Sequence, residues 1–497
     1  MSWPSRFLSQ HAALKSSRAR LTVASLEVNS EHRKSTVFFA RTANSLQQRR
    51  YLHSKKMAAN SEAAHPDTTP SINVRLADRW TGLDKNVWVE YTGLAAQHKA
   101  VNLGQGFPDF PPPEYVTKAL AEATNGKNTL LNQYTRGYGH PRLVNVIAEV
   151  FSKVHNRPIN PMSEILVTIG AYQSLYCAIS GHINPDDEVI IIEPFFDCYE
   201  PMVRFAGGKP VFVALKPPQS KAGKEMHSSD WLLDMKDLEA AFTPKTRMII
   251  LNTPNNPLGK VFTKKELSDI AEICIRKNIL VVSDEVYEWL IFEPYQHVRI
   301  ADLPGMWERT ITVRSAGKTF SVTGWKLGWS IAPANLIRNC QVALQNVTYT
   351  SPTPIQEAVA VGLEIEKERM DNKDQCYFYT LPAMLVAKRD QMADMLIKTG
   401  LTPIIPEGGY FMLADYSKLK NLPSSIMMST EGDEPKDSRF VKWMTAEKKL
   451  ATIPVSAFYS KEHKHLAENY IRFCFSKNDQ TLDATRKILD DWMNEKS

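Results

Sequence analysis

No stretch of these 497 residues stays apolar for the roughly 18 positions that a membrane-spanning helix needs. The longest apolar runs, such as Val189-Ile-Ile-Ile192, have the length of buried strands, so membrane insertion is not expected. Cysteine is sparse. Cys177, Cys198, Cys274, Cys340, Cys376 and Cys474 are scattered without paired or metal-like spacing, which points to reduced thiols in an intracellular protein. There is no internal repeat and no long low-complexity tract. Acid is nearly missing from residues 1–56, where eleven Lys and Arg face only Glu27 and Glu31. That segment carries +9 of a chain total of +6, which leaves −3 for the rest. A basic surface for nucleic acid is therefore not expected.

What is present is ordinary for a folded protein: 43% hydrophobic and 23% charged residues. The length predicts about two to three domains. Residues 1–56, rich in Ser and Arg and poor in acid, have the composition of a mitochondrial transit peptide, with Arg49-Arg-Tyr-Leu52 as a processing neighbourhood. A mitochondrial matrix location follows, and Met57 offers a second start that would give a cytosolic form. Residues 57–75, polar and rich in Pro, Ser and Thr, read as a linker.

From about residue 164 to 335, short β-branched runs alternate with amphipathic segments. The strand candidates are Glu164–Ile169, Glu188–Glu193, Val211–Leu215, Met248–Asn252, Leu280–Ser283, Thr310–Arg314 and Gly328–Ala332. Between them lie helical patterns such as Thr263–Lys277, with Leu267, Ile270, Ala271 and Cys274 recurring on one face. This predicts an α/β fold: a large domain with a seven-stranded, mostly parallel sheet flanked by helices. Residues 335–395 look helical. A smaller α+β domain is expected from N- and C-terminal segments, including the extended Gly409–Ala414 and Tyr470–Phe475 and the helix Asp479–Asn494, with Lys418–Asp437 as a loop. The expected divisions are 76–110 (N-terminal arm and part of the small domain), 111–379 (large domain) and 380–497 (small domain).

In such sheets ligands gather beyond the carboxyl ends of the strands, and the chemically interesting residues fall there. Ser315-Ala-Gly-Lys318 follows one strand candidate, with Lys326 eight residues further on. An amine among hydroxyls and a second cation suits carrying an aldehyde as a Schiff base beside a phosphate, which implies pyridoxal 5′-phosphate. Asp284 ends a buried strand and would keep a pyridine nitrogen protonated, while Tyr287 and Asn256 offer donors to the cofactor's phenolic oxygen. Gly170 opens a helix after another strand, so the N–H groups of Ala171 and Tyr172 would face a phosphate with Ser315 and Lys326. In Tyr470–Phe475 the alternation places Arg472 on the face of Tyr470 and Cys474, where a planar carboxylate would satisfy it; a structural pair with Asp or Glu is the other reading. His463 and His465, in Lys-Glu-His-Lys-His, read as solvated, and no metal site is expected.

Several segments together carry a resemblance: Asn102-Leu-Gly-Gln-Gly-Phe-Pro-Asp-Phe110, Asn132-Gln-Tyr-Thr135, Glu193-Pro-Phe-Phe-Asp-Cys-Tyr199, Asn252–Lys260, Ser283-Asp-Glu-Val-Tyr287, Ser315–Trp329 and Tyr470-Ile-Arg-Phe-Cys-Phe475. Over about residues 75–495 the chain resembles the fold-type-I, class I aminotransferases that use pyridoxal phosphate. It is most similar there to the kynurenine–oxoglutarate transaminases, also called glutamine transaminase K or cysteine-S-conjugate β-lyases. The resemblance implies that Lys318 binds the cofactor covalently and shuttles the proton at the substrate α-carbon. It implies that Asp284 pairs with the pyridinium, that Asn256 and Tyr287 bind its phenolic oxygen, and that Phe196 stacks on the ring. Ala171, Tyr172, Ser315 and Lys326 would hold the phosphate, with Tyr134 from a second subunit of a homodimer.

Substrate contacts implied in the same way are Arg472 for the α-carboxylate, with Gly106 and Asn256, and Trp88, Tyr172 and Tyr349 around the side chain; Phe411 is a further aromatic candidate there. Tyr349-Thr350 departs from members with Phe-His at this place. The implied reaction moves the amino group of kynurenine, glutamine, or sulfur-containing and aromatic amino acids to a 2-oxo acid. Kynurenine would yield kynurenic acid, and a β-lyase side activity would come with it. A primary lyase is the alternative. A cofactor-binding regulator is the remote one, and residues 1–75 lack the helix-turn-helix pattern it would need.

Overall fold

The computed structural model describes residues 74–83, 86–218, 225–427 and 434–495. The expected leader, residues 1–56, and linker residues 57–73 lie outside the described residues. The chain divides after Arg75, and the unit described below begins at Leu76.

Seven strands form where the β-branched runs placed them, with ends shifted by two residues at most: β1 Ile165–Thr168, β2 Glu188–Glu193, β3 Lys209–Ala214, β4 Thr246–Asn252, β5 Leu280–Asp284, β6 Thr310–Ser315 and β7 Gly328–Ile331. Their order across the sheet is β1-β7-β6-β5-β4-β2-β3. β7 is antiparallel to both neighbours and the other four pairings are parallel. A parallel strand needs a crossover, so helices cover both faces and the strands are apolar on both. Val189, Ile191, Met248, Ile250 and Val282 pack against Leu175, Ile179 and Leu344. The intervening Ile190, Ile192, Ile249, Leu251 and Val281 pack against Leu267, Ile270 and Cys274.

The helix carrying those last three residues, Lys264–Lys277, shows how locally its ends are written. Thr263 accepts the Glu266 backbone N–H while the Glu266 side chain accepts that of Thr263, and Asn278 ends the helix at φ 54°. A cap of this kind contributes about 1 kcal/mol.

The second sheet has five short strands in the order Ile453–Pro454, Tyr470–Cys474, Phe411–Asp415, Thr402–Ile405, Met226–His227. Val101–Asn102 pairs separately with Leu450–Ala451, which ties the N-terminal arm to C-terminal residues. Two features bear on the expected divisions. The division at 379/380 falls inside one continuous helix, Tyr377–Lys398, whose apolar face continues through the position. Met226–His227, expected within the large domain, instead pairs in parallel with Ile404–Ile405 as an edge of the smaller sheet. The segment Lys418–Asp437 is also less irregular than expected, since it contains the helix Ser424–Met427 and the start of the helix Lys436–Glu447; residues 428–433 lie outside the described residues.

Strand direction then positions everything that follows. β1, β2, β4, β5 and β6 run the same way, so Thr168, Glu193, Asn252, Asp284 and Ser315 all end at one edge. β7 runs back, which brings the residues before it, including Lys326, to that same edge.

Candidate active site

At this edge lies a cavity of about 490 Å³. Thirteen of the residues expected from the sequence line it, Phe411 among them. Ala171 and Tyr172 come from the turn after β1, Phe196 from that after β2, Asn256 from that after β4, and Asp284 and Tyr287 from the end of β5. Ser315 and Lys318 follow β6, Lys326 precedes β7, and Trp88, Gly106 and Arg472 close the opposite wall. Tyr134 and Tyr349 do not line it within this chain. They are 83% and 56% exposed and meet edge to face with ring centroids 5.7 Å apart. The expectation that Tyr349 lines the pocket is thus not met within one chain: its backbone, at φ 72°, follows the end of the helix Ala334–Val347 and leaves the ring at the surface.

The anion-binding side is built from backbone. The helix Gly170–Ser180 has no side-chain cap at its start, which leaves its first N–H groups available. Gly170 adopts φ +71°, and a Cβ there would sit 3.5 Å from the Lys326 amine, so the first turn and the cation lie side by side. Gly328 is required for the same convergence, because any Cβ would stand 2.5 Å from the Ala171 nitrogen.

Across the cavity, Asp284 accepts a hydrogen bond from Tyr199 Oη at 2.6 Å. Burial raises its pKa to about 6, with the Tyr199 contact opposing the shift. A raised carboxyl holds its proton longer in the folded than in the unfolded chain, so cofactor-free stability falls as pH rises from about 4 to 6. The charged form costs on the order of 3 kcal/mol at neutral pH. Asp284→Asn should therefore raise the melting temperature of the cofactor-free protein at pH 7 and change it little at pH 4. Calorimetry at the two pH values checks this; a variant destabilised at both would contradict it.

Behind the wall, Glu285 and Glu288 point away from the cavity and are buried. Glu288 accepts from Arg314 Nε at 2.7 Å and from Arg299 at 2.8 Å, and Glu285 bonds His297 Nε2 at 2.9 Å. The two carboxylates and His297 lie close enough to share a cation, but the two guanidiniums already balance them. The network braces the chain directly after Asp284 and directly before Ser315.

The amine of Lys318 points into the cavity and donates to Tyr410 Oη. Burial and the nearby cations Arg472 and Lys326 lower its pKa to about 8, with Cys474 and Asp284 opposing them. Arg472 is wholly buried, and its guanidinium donates to Asn256 Oδ1 at 2.7 Å and to Gly104 O at 2.6 Å. It lies 3.8 Å from the Phe411 ring centroid. Its Nε is buried without a hydrogen-bond partner, and no carboxylate lies within ion-pair distance among the described residues. The structural Arg–Asp/Glu pair is thereby set aside. A buried cation with an orphaned donor and a lowered pKa of about 10, caused by burial, is arranged for an anion from outside.

Several participants were not singled out from the sequence. Tyr199 sits inside a motif segment yet shows its role only through Asp284. Asp197 accepts from Trp88 Nε1 at 2.8 Å and holds that ring over the cavity mouth. Lys477, buried, donates to Phe107 O at 2.8 Å and anchors the loop that carries Gly106. His463, expected to be solvated, instead bonds the buried Glu193 through Nδ1, because the loop Val455–Leu466 folds against the end of β2. All six cysteines are free and buried.

The donor set fits one cofactor class: an acid at one end, an amine, a ring-sized apolar slot at Phe196, and an uncapped helix start with a cation at the other. Known proteins resemble this chain in sequence and in fold. Residues 98–488 match the family model described as aminotransferase class I and II. Kynurenine–oxoglutarate transaminase 3 of Mus musculus is 52% identical over 427 residues, covering 86% of this chain and 92% of the relative. The crystal structure of Bna3p from Saccharomyces cerevisiae superposes with a TM-score of 0.78 at 33% identity, covering 85% of this chain and all of that one. YbdL from Escherichia coli, for which a methionine aminotransferase function is identified, gives 0.73 at 32% identity over 84% of this chain and all of its own. The chain belongs to the class I and II aminotransferase family.

Proposed function

We propose that this aminotransferase uses pyridoxal 5′-phosphate to move the amino group of kynurenine, glutamine, and other large aromatic or sulfur-containing amino acids to a 2-oxo acid. The observation that carries the reading is the buried, carboxylate-free Arg472 facing the same cavity as the depressed Lys318 amine. An amino acid laid between them has its carboxylate on the guanidinium and its α-carbon near the lysine. Relatives named for kynurenine transamination and a neighbour with a methionine activity support the donor class.

When bound, the cofactor supplies an aldehyde and a protonated ring that draws electrons from the substrate α-carbon. Asp284 would hold the ring nitrogen, Asn256 and Tyr287 the phenolic oxygen, and Phe196 the ring face. The N–H groups of Ala171 and Tyr172, with Ser315, Lys326 and the partner subunit's Tyr134, would hold the phosphate. Lys318 takes the α-proton as a free amine and returns it. Its lowered pKa leaves a useful fraction of that free base near neutral pH, whereas an ordinary lysine would be almost fully charged. Arg472 orients the substrate through two parallel hydrogen bonds. Trp88, fixed by Asp197, and Tyr172 would bound the side-chain space, with Tyr349 contributing across a dimer.

The test is a specific-activity panel of purified protein against about a dozen amino donors with several 2-oxo acids. Kynurenine, methionine, phenylalanine and glutamine should exceed aspartate about 10-fold or more, the scale on which one apolar pocket discriminates. Preference for aspartate would overturn the donor class. Removal of the α-proton by Lys318 would also let a good leaving group depart from the β-carbon, so a β-lyase side activity on cysteine S-conjugates is proposed, read as pyruvate and ammonia released without an acceptor. The homodimer, and a matrix form beside a cytosolic one starting at Met57, belong to the same proposal. Sedimentation and N-terminal sequencing from each compartment check them.

A further inference from the structure

Tyr410 is a buried phenol that no role above employs. It stands between the Lys318 amine and the loop Gly104–Phe107. Lys318 Nζ donates to Tyr410 Oη at 2.5 Å, and Tyr410 Oη donates to Gly106 O at 3.1 Å. A phenol has one proton, and here it goes to the Gly106 carbonyl, so the oxygen faces the lysine as an acceptor. Burial pushes the Tyr410 hydroxyl well above its ordinary pKa, which keeps it neutral.

The position is built by its surroundings. Gly408 lets the chain pass between Leu290 and Pro254, where a Cβ would come within 2.8 Å of both, and Gly409 turns at φ +74° to aim the following ring inward. Tyr287 and Phe411 pack edge-on against that ring at 5.2 and 4.8 Å. Lys477 fixes the loop whose Gly106 carbonyl receives the phenol proton.

We infer that Tyr410 is a positioning residue for the reaction, which receives the Lys318 amine whenever that amine is not covalently engaged and holds it beside Gly106 on the substrate side of the cavity. This rests on the reading of Lys318 as the reactive amine. Lysine is free to move only while it is unattached, and that is when its position decides which proton it takes. A neutral oxygen accepting from it also binds the ammonium more strongly than the amine. Losing that oxygen should thus lower the pH at which the amine becomes free.

Tyr410→Phe keeps the ring and removes only the hydroxyl. The readout is the pH dependence with which trinitrobenzenesulfonate labels Lys318 in cofactor-free protein, followed by peptide mapping. The wild type should show a midpoint at about 8, and the variant a midpoint lower by about half a unit or more. In the cofactor-loaded enzyme, kcat should fall about 10-fold or more with KM unchanged. An unshifted midpoint overturns the inference, and so does a shifted midpoint with unchanged kcat, since the contact would then have no part in turnover. Tyr410→Met, which also lacks a hydroxyl, repeats the test should the Phe chain not fold. Lys318→Ala separates the two ideas: if it transaminates normally, the reading of Lys318 fails whatever Tyr410 does.

Discussion

Lys318→Ala abolishes transamination, with turnover down about 10⁴-fold or more, because one change removes both the covalent attachment point and the proton carrier. The fold should survive. Lys318 sits on a cavity wall and makes one hydrogen bond, to Tyr410, so its truncation leaves no buried charge unpaired. It removes instead a cation that burial disfavours. The cofactor should still bind through its other contacts but should wash out on dialysis. Steady-state rates, a melting curve and absorbance before and after dialysis separate these effects. Retained turnover would mean that another residue carries the proton.

Arg472→Met should lower kcat/KM for every amino donor by about 10²- to 10⁴-fold, chiefly through KM. Two charge-assisted hydrogen bonds to the substrate carboxylate disappear, each about 1.5–3 kcal/mol. Arg472→Lys should recover little of this, because an ammonium cannot reproduce two parallel bonds from one plane. Three aromatic rings, of Trp88, Phe411 and Phe458, lie within 5.3 Å of the guanidinium carbon and leave a shorter, rounder cation poorly supported. Amines without a carboxylate provide the control: their slow turnover should be indifferent to the substitution. Initial-rate kinetics across donors with and without the carboxylate check it. An equal loss for both groups would make Arg472 a scaffold residue.

Much of this architecture is legible in the sequence because it is local. β-branched runs of four to seven residues bounded by turn residues mark all seven strands of the large sheet, and Thr263 with Glu266 announces a helix start. Lys318, Asp284 and Asn256 are readable because each ends its strand or follows it within a few residues, so strand direction alone gathers them. What escapes is contact between distant positions. Tyr410 meets Lys318 across 92 residues, Trp88 meets Asp197 across 109, and His463 reaches Glu193 across 270. No local period encodes such meetings. Met226–His227 escapes for another reason: two residues have no alternation to read. The position near 380 is hard to read because one helix runs through it, and a helix that buries residues on either side carries no break in composition.

The central claim is that the reactive amine of this enzyme is Lys318, and it can be tested in the unmodified protein. Cofactor-loaded enzyme is treated with borohydride, which fixes any imine as a stable amine, then digested and mapped by mass spectrometry. The account predicts a pyridoxyl phosphate group on the peptide containing Ser315-Ala-Gly-Lys318, and its loss when the enzyme is first mixed with an amino donor. Label on a different lysine, or no label on loaded enzyme that is turning over, would contradict it.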